Sequence, residues 1–89
     1  MDMRKLVGTN IRNARIAKDM TQEELAERSG FSQQYISGLE RGRRNPTIVS
    51  IYELGQALGV THEQLVAVPR AQQITYGLPE QVNDNFSKA

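Results

Sequence analysis

The chain reads as an all-α domain of five short helices, and three observations predict it. Helix starts are marked by Ser and Thr caps, helix stops by glycines, and residues 1–66 contain no strand-like alternation of apolar and polar residues. At 89 residues the core is a single modest one, because a small domain buries only about 60% of its unfolded surface. That leaves little room for a deep catalytic cleft.

The elements follow in order. The first helix, residues 3–18, carries Val7, Ile11 and Ala14 at helical spacing. The second, residues 22–29, opens on Thr21-Gln22-Glu23-Glu24, a complete capping box with Met20 and Leu25 as its hydrophobic staple. Gly30 stops it where a left-handed residue is wanted. The third, residues 33–41, starts from Ser32, lacks the box acid but keeps the staple pair Phe31 and Ile36, and stops at Gly42. Pro46 disfavours helical geometry at Asn45, so the fourth helix starts after Thr47, covers residues 48–58 and ends at Gly59. The fifth, residues 62–67, has the second box, Thr61-His62-Glu63-Gln64, between Val60 and Leu65.

Only Gly30-Phe31-Ser32 separates the second helix from the third, which makes the pair a helix-turn-helix rather than an antiparallel hairpin. The expected core joins Val7, Ile11 and Ala14 to Leu25, Ala26, Ile36, Leu39, Ile51, Leu54, Leu58 and Leu65. Residues 1–68 form this domain and residues 69–89 a tail, broken by Pro69 and Pro79 and polar at Asn83-Asp84-Asn85. Two readings of the tail stand: a disordered terminus, or an arm that docks on a partner subunit through Ile74 and Tyr76.

Composition excludes several functions. With no cysteine, a disulfide scaffold, a thiolate zinc site, an iron–sulfur cluster and a cysteine nucleophile are all absent. No metal or other cofactor is expected, and His62, the single histidine, sits inside a capping box without a second ligand or base nearby. The nucleophile–base pair of an enzyme is not found. No apolar run approaches the ~18 residues of a membrane span, and no signal-peptide core develops before Gly8-Thr9-Asn10, so a cytoplasmic location is expected.

The net charge of +1 conceals an asymmetry: residues 1–45 carry nine Lys/Arg against six acids, and residues 46–89 two against four. Such a split suggests a polyanionic partner, although charge is commonly uneven in a short chain. With Ile36 and Leu39 facing inward, the third helix exposes Gln33, Gln34, Ser37, Gly38 and Arg41, a stripe without an acid. A glutamine amide matches the N7/N6 edge of adenine bidentately, and the N-terminal end of such a helix is the part that enters the major groove. Gly38 would let that helix approach closely. The plainer reading is a well-solvated helix start.

Arg41-Gly42-Arg43-Arg44-Asn45 follows, three arginines in four residues. Their forks suit phosphate oxygens, with backbone amides around Gly42 and Asn45 as further donors. A helix C-terminus also favours cations, which accounts for one arginine more readily than three. Gln22 lies in the open first turn of its helix, where a phosphate can be met. Arg15 and Glu40 fall on inward faces and are expected to pair, since an unpaired buried charge is costly.

Met20-Thr21-Gln22-Glu23-Glu24-Leu25-Ala26-Glu27, Gly30, Ser32 through Gly42, Pro46, Leu54, Ala57 through Val60 and Leu65 closely resemble the helix-turn-helix domain of the Cro/lambda-repressor (XRE) family over about residues 4–67. The resemblance implies a five-helix, lambda-repressor-like domain that binds double-stranded DNA as a homodimer on a palindromic operator. It matches Gln33 and Gln34 to base-contacting positions, with Ser37 and Gly38 on the same face. Thr21, Gln22, Tyr35, Arg41, Arg43 and Arg44 match phosphate-contacting positions, and Arg15 with Glu40 a buried ion pair. Gly38 departs from the family, many of whose members place a base-reading side chain there, so specificity at that position would be weak or would rest on DNA shape. The tail matches nothing general in it.

The expected function is therefore sequence-specific transcriptional regulation, as a repressor or through contact with RNA polymerase. The alternative is an antitoxin or a restriction–modification controller whose tail binds a partner protein such as a toxin.

Overall fold

The computed structural model describes residues 1–69, so the expectations for Ile74, Tyr76 and the rest of the tail lie outside the described residues. Within them the chain forms α1 (Met3–Ala17), α2 (Gln22–Ser29), α3 (Gln33–Glu40), α4 (Ile48–Leu58) and α5 (His62–Val66), and no strand. Each expected helix is present, with ends shifted by one residue at most.

The caps are the physical reason for that agreement. Thr21 Oγ1 accepts from the Glu24 N–H at 3.0 Å while the Glu24 carboxylate accepts from the Thr21 N–H at 2.8 Å. Thr61 and Gln64 repeat the arrangement, and Ser32 and Thr47 cap α3 and α4 alone. Each satisfies backbone donors that a helix start leaves open. The start of α1 lacked a marker in the sequence reading; Asp2 supplies it, accepting from the Arg4 N–H at 3.1 Å. The stop of α1 is also unusual. Asp19 takes the left-handed conformation (φ 56°), and the N–H groups of Asp19 and Met20 close back onto Ile16 and Arg15. This is the turn that glycine usually makes.

All five helices converge on one core of Val7, Ile11, Met20, Leu25, Ile36, Leu39, Ile51, Leu54, Leu58 and Leu65, with Ala14, Ala26, Phe31 and Tyr35 packed at its edge. Burial of these side chains, at roughly 1.5–3 kcal/mol each, is the main term opposing chain entropy. α1 packs on α3 and α5, α2 on α3 and α4, and α4 on α5. The short α5 is fastened to α1 by Asn10, whose amide donates to the Leu65 and Ala67 carbonyls at 3.0 and 2.9 Å. Nothing in the local sequence signals that bond.

Gly8 is the position where α1 touches α3. A Cβ there would overlap the Leu39 carbonyl oxygen, and backbone cannot rotate aside as a side chain can. Gly8→Ala gains about 1 kcal/mol of helix propensity but forces the two helices apart. The clash is expected to win, with a net destabilisation of about 1–3 kcal/mol in urea denaturation. A neutral or stabilised variant would show that α1 and α3 do not approach this closely.

Candidate nucleic-acid interface

α3 is anchored by Ile36 and Leu39, both essentially inaccessible, and this rotates its other side outward. Gln33 and Gln34 are exposed and Ser37 half-buried; among the described residues none of the three side chains has a hydrogen-bond partner. With Gln22 they line one shallow acid-free groove at the junction of α2 and α3. The helix-turn-helix thus gathers amide donors and acceptors from two helices, each capable of two-point hydrogen bonding.

Gln22 owes its position to the core. Its Nε2 donates to Glu40 Oε1 at 3.0 Å, which turns the amide toward α3. Glu40, with only 3% of its side chain exposed, is also held bidentately by Arg15 (Nε to Oε2 at 2.7 Å, Nη2 to Oε1 at 2.9 Å). Arg15 sends its remaining Nη1 to the Met20 carbonyl at 2.8 Å. The expected ion pair is therefore present, as the centre of a larger network that the sequence reading did not foresee. The hydrogen bond to Glu40 raises the affinity of Arg15 for its proton above the ordinary guanidinium value, desolvation opposes this, and charge attraction adds to it. Thr21, read as a phosphate contact, has its hydroxyl engaged with Glu24 inside the capping box.

The arginine turn corrects one expectation. The Gly42 and Arg43 N–H groups bond the Leu39 and Gly38 carbonyls at 3.0 and 2.9 Å, closing α3 in a Schellman turn with Gly42 at φ 75°. They are consumed, so among the described residues the backbone donors left without an acceptor between Arg41 and Asn45 are those of Arg44 and Asn45. Arg41 and Arg43 extend into solvent, and among the described residues neither meets a carboxylate.

Arg44 behaves differently. It folds back over α3, with its guanidinium 5.6 Å from the Tyr35 ring centroid, and Tyr35 in turn packs on Phe31 at 4.9 Å. A Cβ at Gly38 would stand 2.9 Å from Arg44 Cγ. The room at Gly38, expected to admit DNA, is thus taken by the Arg44 stem. What position 38 presents outward is a neighbouring arginine rather than bare backbone.

An outward helix face without acids, followed by arginines that among the described residues meet no carboxylate and set on the second limb of a helix-turn-helix, is the hallmark of a DNA-binding helix-turn-helix regulator. Comparison bears this out: residues 11–65 match the helix-turn-helix family HTH_3, and the chain belongs to that family, the Cro/lambda-repressor (XRE) type. It is 67% identical over 66 residues (74% of this chain, 86% of the relative) to the uncharacterized HTH-type transcriptional regulator y4dJ of Sinorhizobium fredii. Among solved structures it is similar to the hypothetical transcription factor NHTF from Neisseria, with TM-score 0.74 and 34% identity over 85% of this chain and 86% of that one. It also resembles the restriction-modification controller protein C.Esp1396I, solved as a tetramer with its natural 35 base-pair operator. There the TM-score is 0.65 and the identity 39%, over 68% of this chain and 80% of that one. No helix of the described residues is long and apolar enough to cross a membrane.

Glu40→Ala removes one charge and strands Arg15, and a broken buried pair costs about 3–5 kcal/mol. The joint replacement Arg15→Met with Glu40→Leu is expected to cost far less than the sum of the single changes, as read in a double-mutant cycle of urea midpoints. Additive effects would show that the two residues are not energetically coupled.

Proposed function

We propose that the protein is a sequence-specific transcriptional regulator that binds a palindromic operator as a homodimer, with α3 in the major groove. The observation that carries this reading is the groove lined by Gln22, Gln33, Gln34 and Ser37, free of acids, on the helix whose C-terminal turn carries Arg41, Arg43 and Arg44. Gln33 and Gln34 read base edges; Ser37 and the surface over Gly38 lie along the same face. Arg41, Arg43, Arg44 and the N–H groups of Arg44 and Asn45 meet phosphates, with Tyr35 and the first turn of α2, at Thr21 and Gln22, beside them. Phosphate contacts set register and supply salt-dependent affinity, whereas base contacts supply sequence preference.

For the dimer, support comes from an apolar patch on the first turns of α4. Ile48, Val49 and Tyr52 are 78%, 61% and 51% exposed, and Val66 of α5 is 38% exposed. The three α4 side chains, on adjoining turns of one helix, mark a surface meant to be covered. A twofold-symmetric pair would read two half-sites about 34–36 Å apart, or a multiple of it. Within this reading, likeness to a controller protein favours a restriction-modification controller, whose binding sites would lie beside a methyltransferase–nuclease gene pair.

The test is selection of bound fragments from sheared genomic DNA at about 150 mM salt, close to physiological ionic strength. The native chain should enrich a palindrome, and the Gln33→Ala/Gln34→Ala variant should lose about 1–3 kcal/mol of specific affinity per bidentate contact while keeping non-specific binding. Equal, motif-free recovery by both proteins would refute base reading. Separately, Val49→Lys should shift sedimentation at micromolar concentration toward the monomer, and an unchanged distribution would place the dimer interface elsewhere.

A further inference from the structure

We infer that Lys5, on the first turns of α1, is a further phosphate-binding cation of the DNA interface, and this rests on the DNA-binding reading above. In sequence Lys5 lies far from the arginine turn. In the fold it is adjacent: a Cβ on Gly42 would stand 2.8 Å from Lys5 Cγ, 3.2 Å from its Cα and 3.4 Å from its backbone nitrogen. The αL conformation of Gly42 and its missing side chain are what let α1 and the Arg41–Arg43 turn come together. The butylammonium stem of Lys5 lies against that turn while the residue as a whole is exposed. Such packing of the methylenes carries the charge to the edge of the contact.

The charges around it argue for an anion outside the protein. Among the described residues the two ion pairs are Arg4–Asp2 and Arg15–Glu40, so Lys5 meets no carboxylate directly. Asp2, the acid on the same helix end, accepts from the Arg4 N–H and lies 3.7 Å from the Arg4 guanidinium. Desolvation is the largest single influence on its carboxyl pKa and raises it, but the Lys5 and Arg4 backbone bonds and the charges of both residues together outweigh it and leave the carboxyl below the usual carboxylate range. Lys5 therefore sits on the turn that carries Arg41 and Arg43, so that three cationic residues share one corner of the fold. A phosphate strand passing that corner would gain their attraction, with release of condensed counterions.

The competing role is structural: Lys5 as a cation at the carbonyl end of α3, favoured by its dipole. Two variants of the full chain separate the roles. Lys5→Met keeps the apolar stem on Gly42 and removes the charge; Lys5→Arg keeps a charge. Each is titrated with sheared genomic DNA between about 50 and 200 mM salt, the range over which phosphate contacts dominate affinity, and each is melted in urea. For Lys5→Met the slope of log K against log salt should fall by about 0.9 per chain, with about a fivefold loss of affinity near 150 mM. Lys5→Arg should restore both, and the urea midpoint of Lys5→Met should match or exceed the native one.

An unchanged slope and affinity in Lys5→Met would overturn the assignment. So would a lowered urea midpoint with the native slope, which is the signature of the dipole role. If the native chain itself showed no salt-dependent DNA binding, the DNA-binding reading would fail first, and the assignment with it.

Discussion

The carboxylate of Glu40 is nearly removed from water at the end of α3, and the organisation of the interface depends on how that charge is met. Arg15 meets it from α1 with two parallel bonds, Gln22 meets it from α2, and the third arm of Arg15 holds the Met20 carbonyl between them. Four segments are thereby referred to one charged centre. An apolar contact of equal area would hold them together but would leave their rotation free within the tolerance of side-chain packing. Directional, charge-assisted bonds do not. Hence the amide of Gln22 is oriented beside Gln33 and Gln34 by a group that itself lies beneath the surface.

Small residues complete the geometry by omission. Gly8 lets α1 and α3 approach to backbone contact, Gly42 seats Lys5, and Gly38 seats the stem of Arg44. In each case the missing side chain is replaced by a neighbour. The costs differ with what the neighbour is. Next to Gly8 stands a carbonyl that cannot move, so the position is tied to the fold; next to Gly38 stands the flexible stem of an arginine, so that position bears on the shape of the surface.

Charge is distributed so that attraction to a polyanion is local rather than global. Glu23 and Glu24 occupy the first turn of α2, where they suit the helix dipole, and Glu24 is closed into its capping box. Arg41, Arg43 and Lys5, which among the described residues meet no carboxylate, gather at the other end of the helix-turn-helix, with Arg44 stacked on Tyr35. A net charge of +1 hides this completely. It is the arrangement rather than the net charge that suits a protein meeting DNA.

Much of this was legible without coordinates, for a definite reason. Caps, staples and glycine stops are interactions between residues two to five apart, so Thr21 with Glu24, Thr61 with Gln64, and Gly42 with the end of α3 carry their geometry in their spacing. The apolar rhythm of Ile36 and Leu39 likewise dictates which side of α3 turns outward, and with it the exposure of Gln33 and Gln34. The pairing of Arg15 with Glu40 was within reach because two inward charges of opposite sign have few alternatives. The remainder needed the tertiary structure. That Gln22 bonds Glu40, that Asn10 fastens α5, that Arg44 lies on Gly38 and that Lys5 rests on Gly42 are contacts between segments separated by several to more than fifty residues. Local physics determines where each helix begins, ends and turns its apolar face; only the packing of whole helices decides which polar side chains then meet, because the angles and separations between helices are set by every core contact at once.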